Sequence, residues 1–288
     1  MQTPKKPFHL HTFDAIGTAW SIQTDFPLSD SLKTAIRDEI SQVNREYSRF
    51  VQTSLVSQLA QNGGSATFSH GIPELFELYD TLYRVTDGQV TPLIGNILND
   101  LGYDARYSFT TRPIRPLKDY QILSHQNQTI TLSEPAMIDV GAAGKGYLID
   151  RVSAIISRDH TSFTVDGSGD LYSRGVSQTV ALEHPKDPSL AIGHIVLKDA
   201  ALCASATTRR AWGDGLHHII NPSTAQPVRD ITATWVLANS ALVADGLATA
   251  LFFTKPENLA RHFDFGFVTM YADGSVRYSP NSHITLYE

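Results

Sequence analysis

The sequence predicts an α+β fold in which mixed β-sheets pack against helices. Of its 288 residues, 42% are hydrophobic, which is enough apolar material for a continuous core. Segments with helical periodicity are mixed with segments of β character, without the strict alternation typical of a doubly wound parallel sheet. The formal net charge of −6, spread without long runs, excludes an extended basic surface and predicts that nucleic acid is not a partner.

Each predicted helix has an apolar face or a recognisable start. Ser29 and Ser240 are placed to cap two of them, and Pro73 and Pro256 lie where a first helical turn tolerates proline. Gly88 is predicted to end the helix that contains Pro73. The predicted helical ranges are 30–46, 73–87, 91–104, 147–157, 241–253 and a short piece from residue 256.

The predicted strands are short and bounded by turn residues. Gly17 is placed to join the first two, within residues 8–26, and Asp273-Gly274 predicts a hairpin near the end of the chain. Residues 105–137 are rich in proline and polar side chains, which predicts a loop or a small sheet. The other predicted strands are 129–132, 162–166, 178–183, 193–198, 201–204, 216–220 and 231–238.

One domain is expected over residues 1–288. No apolar stretch approaches the roughly 20 residues that a membrane helix needs, and the first 13 residues lack a signal-peptide core. We therefore expect a soluble, cytoplasmic protein, or a periplasmic one if a native leader has been removed. The single cysteine, Cys203, excludes an internal disulfide, and its apolar neighbours favour a buried, inert thiol.

The segment "IDVGAAGKGYLIDRVSAII", residues 138–156, carries a glycine-rich turn that leads into a helix. Backbone N–H groups at such a turn, together with Lys145, are suited to binding an anion. The spacing before Gly144-Lys145 is too short for a P-loop, and Gly146 stands where that motif has Ser or Thr. The turn alone leaves two interpretations open, a phosphate site and a simple tight turn.

Asp245 and Thr249 lie four residues apart in "ALVADGLATALFF" and therefore share a helix face. A carboxylate and a hydroxyl are oxygen ligands suited to Mg²⁺. The alternative is that Thr249 bonds within its own helix and Asp245 is solvated. Since Asp245 interrupts an almost wholly apolar run, its carboxylate needs a partner or a metal if it is buried.

His217 and His218 alternate along a predicted strand, so at most one of them faces a given site. A structural role for either one is the alternative to catalysis. Arg209 and Arg210, just before them, could hold phosphates or face solvent.

Taken in order, seven segments between about residues 12 and 263 resemble the ApbE family, the FAD:protein FMN transferases. The Met-Gly-Thr of the family is similar to Ile16-Gly17-Thr18, and its Ser-Thr-Tyr…Ser…Leu-Ser segment resembles "YSRFVQTSLVSQL". Its Asp-Leu-(Gly/Ser)-x-x-(Ala/Gly)-Lys-Gly-Tyr segment is matched closely by "IDVGAAGKGY". The remaining similar segments are "TDGQVTPLIG", "CASA", "HIINPSTAQP" and "ADGLATA".

The resemblance implies a fold of two interleaved α/β subdomains that form a flavin-binding cleft, and it implies roles for eleven residues. His218 would assist proton transfer. The residues implied to contact FAD are Phe50, Gln89, Val90, Thr91, Asp139, Lys145 and Ile220. The implied metal ligands, for Mg²⁺, are Asp245, Thr249 and the backbone carbonyl of Ala142.

The implied reaction uses FAD as substrate and attaches FMN, through a phosphoester, to a Thr or Ser of an acceptor flavoprotein that carries a flavinylation motif. AMP is the second product. Two alternatives stay open: an FAD pyrophosphatase that gives FMN and AMP, and a non-catalytic FAD-binding protein. The chain departs from the family pattern at five positions, and these departures could change FAD affinity or acceptor recognition: Ser168, Ala206, Thr208, Asn221 and Ala225.

Overall fold

The computed structural model describes residues 8–280 and 283–287 and confirms a mixed α+β architecture. Residues 1–7, which belong to the N-terminal segment predicted to lack a signal-peptide core, lie outside the described residues. In the described part, no helix is both long and apolar enough to cross a membrane. The helices are α1 (Asp30–Tyr47), α2 (Leu55–Asn62), α3 (Ile72–Val85), α4 (Gly95–Asp100), α5 (Gly144–Ile156), α6 (Ala241–Ala250) and α7 (Pro256–Leu259), with 3₁₀ turns at Pro92–Ile94 and Tyr120–Ile122.

The strands form one large sheet and three small ones. The large sheet is antiparallel throughout, in the order β1-β2-β6-β7-β8-β13-β14-β15, and β16 pairs with β8 beside this path. The small sheets are β3-β5-β4, β9-β10 and β11-β12. The strands are β1 (His9–Ala15), β2 (Thr18–Thr24), β3 (Gly64–Thr67), β4 (Leu123–Gln126), β5 (Thr129–Leu132), β6 (Phe163–Asp166), β7 (Leu171–His184), β8 (Asp187–Ala206), β9 (Ala211–Trp212), β10 (Leu216–His217), β11 (Ile220–Asn221), β12 (Gln226–Pro227), β13 (Ile231–Ala238), β14 (Gly266–Tyr271), β15 (Val276–Tyr278) and β16 (Ile284–Leu286).

Helices α1, α3, α5 and α6 pack beside one another, and α5 and α6 contact the large sheet. The main core lies between them and includes Trp20 and Val165 from the sheet and Leu148 and Leu247 from the helices. A second apolar cluster contains Trp235, from the same β13 strand whose Val236 belongs to the main core. Strand β13 is buried almost throughout because it contributes side chains to both clusters.

The helix caps act as their sequence predicts. Ser29 accepts a hydrogen bond from Leu32 N–H at 3.2 Å, and Ser240 accepts one from Val243 N–H at 3.3 Å. Several predicted helix boundaries are wrong. The predicted helix 91–104 is a 3₁₀ turn at Pro92–Ile94 followed by α4, which ends at Asp100. Helix α5 begins at Gly144 rather than at residue 147, α3 ends at Val85, and α6 ends at Ala250.

Three corrections apply to the strands. The predicted strand 178–183 is part of the longer strand β7, which begins at Leu171 and ends at His184. The predicted strands 193–198 and 201–204 are parts of the single strand β8, because the break between them is a register irregularity at Asp199 rather than a loop. Asp199 has φ 48°, and its carboxylate accepts a hydrogen bond from Gly175 N–H at 2.6 Å. The predicted strand 216–220 is divided into β10 and β11, and His218 lies between them.

Candidate functional site

A single cleft of about 1230 Å³ contains all eleven residues that the resemblance implies. Its walls come from segments that are far apart in sequence, including the turn before α2, the start of α5, the C-terminal part of β8 and the inner face of α6. The volume exceeds that of most small-molecule pockets and is suited to an extended ligand such as a dinucleotide. The residues brought together are Phe50, Gln89, Val90, Thr91, Asp139, Ala142, Lys145, His218, Ile220, Asp245 and Thr249.

The start of α5 packs directly against α6. A Cβ atom on Gly146 would lie 2.0 Å from the carbonyl oxygen of Ala241, so only glycine permits this approach. At this contact the Gly146 N–H donates a hydrogen bond of 2.8 Å to Oδ2 of Asp245. The N-terminus of α5, which favours negative charge, is therefore satisfied by a carboxylate of the protein itself.

Lys145 forms an ion pair with Asp170, with Nζ and Oδ2 separated by 2.8 Å. The other oxygen of Asp170 accepts a hydrogen bond from Ala204 N–H, also at 2.8 Å. Burial lowers the pKa of Lys145, but Asp170 and Asp245 more than offset this, so the net pKa is raised and the lysine is charged. Sequence reasoning missed Asp170, which becomes visible only when β7 is placed beside the start of α5.

Asp245 is buried, and burial together with the nearby Asp170 raises its pKa to about 7, against the opposing influence of Lys145. One turn further along α6, the Thr249 hydroxyl donates to the carbonyl oxygen of Ala142 at 3.4 Å. The alternative of a solvated Asp245 and a Thr249 bonded within its own helix is therefore wrong. The two residues and Ala142 instead converge on one side of the cleft.

These three groups fit a hard divalent cation, because they offer a carboxylate, a hydroxyl and a carbonyl oxygen. A cation there would also offset the mutual repulsion of Asp245 and Asp170, which contributes to the raised pKa. Within residues 8–280 and 283–287, no group of three or more His, Cys, Asp or Glu side chains could hold a metal ion. Any metal site here must therefore use the mixed oxygen donors.

The two adjacent histidines have different environments. His217 is buried, and its Nε2 hydrogen bonds to the carbonyl oxygen of Val228 at 2.9 Å, so its role is structural. His218 lines the cleft, and its buried Nδ1 has no hydrogen-bond partner in the described chain. Burial and the charge of Arg210 lower the pKa of His218 to about 3. The His218 ring is therefore neutral at neutral pH and able to accept a proton.

The turn that carries Gln89, Val90 and Thr91 is fixed by its own hydrogen bonds. Thr86 Oγ1 accepts from Val90 N–H at 3.0 Å, and Thr91 Oγ1 accepts from Leu93 N–H at 3.2 Å. Gln89 donates to Ser223 Oγ at 3.2 Å, which leaves its buried Oε1 without a donor among the described residues. This turn therefore contains one buried, unpaired acceptor on a residue that lines the cleft. Ile220 is 3% exposed and contributes an apolar side chain.

Asp139 is held from two sides. Its Oδ2 accepts a short hydrogen bond from Nε of Arg49, and its Oδ1 accepts one from Gly141 N–H at 2.6 Å. Arg49 also lines the cleft and was missed by sequence reasoning. Its position inside "YSRF", where the Ser-Thr-Tyr segment has threonine, was the available signal.

Phe50 belongs to an aromatic wall of the cleft. Its ring stacks on Tyr107, with centroids 5.3 Å apart, and meets Tyr103 edge-on at 5.6 Å. Tyr103 in turn stacks on Trp212 at 5.2 Å. We call this set, completed by Phe109, the aromatic wall: Phe50, Tyr103, Tyr107, Phe109 and Trp212.

Three of the five departures from the family pattern have a defined local geometry. Asn221 accepts hydrogen bonds from Ser223 N–H and Thr224 N–H, at 2.9 and 3.1 Å, as an aspartate would. Ser168 and Ala225 replace glycines and have φ values of 62° and 54°, so each holds a side chain in the left-handed region. These two substitutions are tolerated at a cost in backbone strain.

Comparisons with known proteins agree with this picture. Curated relatives include the FAD:protein FMN transferase of Vibrio cholerae serotype O1, which is 24% identical over 275 residues, covering 87% of this chain and 82% of the relative. The enzyme of the same name from Chlamydia muridarum is 25% identical over 251 residues, covering 78% of this chain and 76% of the relative.

Among solved structures, the ApbE protein of Thermotoga maritima matches with a TM-score of 0.83 at 22% identity, over 95% of this chain and 97% of that one. The apo flavinyl transferase ApbE of Pseudomonas stutzeri matches with a TM-score of 0.78 at 18% identity, over 97% and 98% of the two chains. A model of the ApbE family matches residues 16–265. The resemblance found in seven sequence segments is thereby confirmed, and the chain belongs to the ApbE family.

Proposed function

We propose that this protein is a Mg²⁺-dependent FAD:protein FMN transferase. Its substrates would be FAD and an acceptor flavoprotein with a Ser/Thr flavinylation motif. The observation that carries the proposal is the convergence of all eleven implied residues on one cleft, with oxygen donors on α6 and the α5 turn and a neutral histidine in the same cavity. The names of the curated relatives support the same activity.

In the proposed step, a Thr or Ser hydroxyl oxygen of the acceptor bonds to the phosphorus of the FMN half of FAD. The bond from that phosphorus to the bridging oxygen breaks, and AMP leaves with this oxygen. The hydroxyl proton passes to His218, which is neutral and has a free ring nitrogen. A bound diphosphate would bring negative charge near His218 and raise its pKa, which strengthens it as a base during the reaction.

The polar residues of the cleft divide the remaining tasks. Asp245, Thr249 and the carbonyl of Ala142 would hold Mg²⁺, which supplies charge neutralisation and Lewis-acid polarisation of phosphate oxygens when bound. Lys145, kept charged by Asp170, would help to bind the diphosphate. Gln89 would offer its free Oε1 to a donor on FAD.

The proposal is tested by mixing the protein with FAD, Mg²⁺ and an acceptor domain that carries the Ser/Thr motif. Flavin fluorescence on the acceptor in a denaturing gel, lost when the target hydroxyl residue is changed to Ala, is the expected result. His218→Gln should abolish this label, whereas His217→Gln is the matched control because His217 does not line the cleft.

The same experiment separates the two alternative functions. Rapid release of free FMN without labelled acceptor would identify an FAD pyrophosphatase. Tight FAD binding without any product would identify a non-catalytic flavin-binding protein. Either outcome would reject the transferase.

A further inference from the structure

Arg49 is almost fully buried, at 4% exposure, although it lies in the wall of the cleft. Its Nε donates to Asp139, and its Nη1 donates to Asn99 Oδ1 at 2.8 Å and to the carbonyl oxygen of Tyr103 at 2.7 Å. The guanidinium is therefore fixed by three acceptors. Its Nη2 is buried and has no hydrogen-bond partner in the part of the chain that the structure describes.

A buried donor of a charged group without an acceptor is costly, and such groups in native proteins are normally satisfied. The strong anchoring of Nε and Nη1 prevents Nη2 from turning towards solvent. Because Arg49 lines the cleft, a ligand that displaces the atoms now covering Nη2 can supply the missing acceptor. The unpaired Nη2 thus indicates a ligand contact that the eleven implied residues do not include.

The surroundings of Arg49 indicate which part of a ligand it meets. Its guanidinium carbon lies 4.2 Å from the centroid of the Phe50 ring and 4.9 Å from that of Tyr103, so it borders the aromatic wall. Aromatic side chains of this kind bind planar ring systems. Through Asp139, Arg49 is also linked to the glycine-rich turn before α5, because Asp139 Oδ1 accepts a hydrogen bond from Gly141 N–H.

The charge of Arg49 is unsuited to a phosphate, because Asp139 already neutralises it. A phosphate placed at Nη2 would meet the negative charge of that carboxylate as well. An uncharged acceptor, such as a ring carbonyl or an imino nitrogen, carries no such penalty. The isoalloxazine ring offers two carbonyl oxygens at its edge, whereas the adenine edge mixes acceptor nitrogens with a donor amine.

We propose that Nη2 of Arg49 donates a hydrogen bond to an uncharged acceptor on the edge of a heterocyclic ring of the bound dinucleotide, and that it is a specificity-determining residue of this cleft. The inference rests on the proposed function for the identity of the ligand as FAD. The isoalloxazine carbonyls are the favoured acceptors, and the adenine ring nitrogens share the same chemistry.

The test is a cycle that combines a change in Arg49 with a change in single ring atoms of FAD. Dissociation constants are measured by flavin fluorescence and calorimetry for FAD, for analogues with sulfur at either isoalloxazine carbonyl, and for analogues with one adenine ring nitrogen replaced by carbon. The wild-type protein should bind one of these analogues about tenfold to a hundredfold more weakly than FAD, as expected for a hydrogen bond from a charged donor.

Arg49→Lys keeps a cation opposite Asp139 but removes the second arm of the guanidinium. This variant should bind FAD more weakly and should not distinguish FAD from the sensitive analogue. Asn99→Ala is the matched control, since it removes an anchor of Nη1 but leaves Nη2 in place. Its melting temperature should fall while its discrimination between FAD and the analogue remains.

Each outcome of this binding experiment either supports or overturns the proposed role of Arg49. Coupling between Arg49 and a carbonyl analogue identifies the isoalloxazine ring, and coupling with an adenine analogue identifies adenine; both support the proposal. The proposal is overturned if Arg49→Lys loses the same binding affinity for FAD and for every analogue. It is also overturned if the wild-type protein binds every analogue as tightly as FAD, and this result does not depend on the folding of any variant. If labelled acceptor forms while coupling is absent, only the role of Arg49 is wrong; if no label forms, the proposed function fails separately.

Discussion

Asp150 is a partly buried carboxylate on α5 that bonds the N-terminus of α6, and Asp245 is a buried carboxylate on α6 that bonds the N-terminus of α5. Asp150 accepts hydrogen bonds from Ser240 Oγ at 2.7 Å and from Ala241 N–H and Leu242 N–H, both at 2.9 Å. Asp245 accepts only the bond from Gly146 N–H among the described residues. The pairing is reciprocal, but the two carboxylates are not equally satisfied.

The difference indicates how one helix pair provides both a structural cap and a candidate metal ligand. Burial raises the pKa of both groups, but the three donors at Asp150 oppose the effect there. At Asp245 the charge of Asp170 adds to burial, and the pKa rises to about 7. A carboxylate with spare acceptor capacity beside a second negative charge is suited to a cation, whereas a fully bonded one is not.

The most disruptive way to break this arrangement is Gly146→Ala. The new methyl group would overlap the Ala241 carbonyl oxygen and approach Asp245 Cβ at 2.8 Å, so α5 and α6 would have to separate. We expect the free energy of unfolding to fall by roughly 3 kcal/mol or more, measured by urea denaturation. Gly144→Ala is the control, because its Cβ would meet only the Val140 side chain at 3.0 Å. Equal losses in the two variants would show that the helix contact is not the sensitive feature.

Asp245→Asn should keep the acceptor for Gly146 N–H and remove the negative charge. Transfer of FMN to the acceptor protein should fall roughly a hundredfold or more, because a carboxylate ligand of the metal is lost. Mg²⁺ should raise the melting temperature of the wild-type protein and leave that of the variant unchanged. A variant that retains Mg²⁺-dependent transfer would remove Asp245 from the metal site.

Asp150→Ala should have the opposite effect. It should lower the free energy of unfolding and keep the rise in melting temperature that Mg²⁺ causes. Three donors at the start of α6 lose their acceptor, and we expect the free energy of unfolding to fall by about 2 kcal/mol. The folded fraction should still be stabilised by Mg²⁺ in a thermal melt. If the metal response were lost and stability kept, the roles assigned to the two carboxylates would be reversed.

The smallest expected effect is the pH dependence of the free energy of unfolding that Asp245 contributes in the absence of metal. Its folded pKa of about 7 lies above its unfolded value, so the folded protein binds more protons between about pH 4 and pH 7. Stability from this group is therefore lost as the pH rises through that window. With EDTA present, wild type should lose stability relative to Asp245→Asn between pH 5 and pH 8 in urea titrations. If the difference in free energy of unfolding between the two proteins were the same across this pH range, the raised pKa of Asp245 would be contradicted.

The sequence predicts those parts of the molecule that depend on near neighbours. Ser29 and Ser240 cap their helices, Gly17 joins β1 to β2, and the hairpin at residues 273–274 is present, because each depends on turn or cap chemistry within a few residues. Cys203 is buried, as its apolar neighbours suggest, and burial raises the pKa of its thiol.

What the sequence alone misses depends on residues that are distant along the chain. The contact of Arg49 with Asp139 spans 90 residues, and that of Gly146 with Asp245 spans 99. No local periodicity reports such pairs. The low pKa of His218 has the same origin, because it depends on burial and on Arg210 brought near by the fold. Motif order could therefore predict which residues meet in the cleft but not how their charges are balanced.

The most direct test of the account is the intact mass of an acceptor domain after incubation with this protein, FAD and Mg²⁺, with AMP measured in the same sample. We expect the acceptor to gain the mass of FMN less one water, with one AMP released for each acceptor modified. Asp245→Asn should give neither product. AMP and free FMN with an unmodified acceptor, or no product from the wild-type protein, would contradict the proposal that this cleft transfers FMN to a protein hydroxyl.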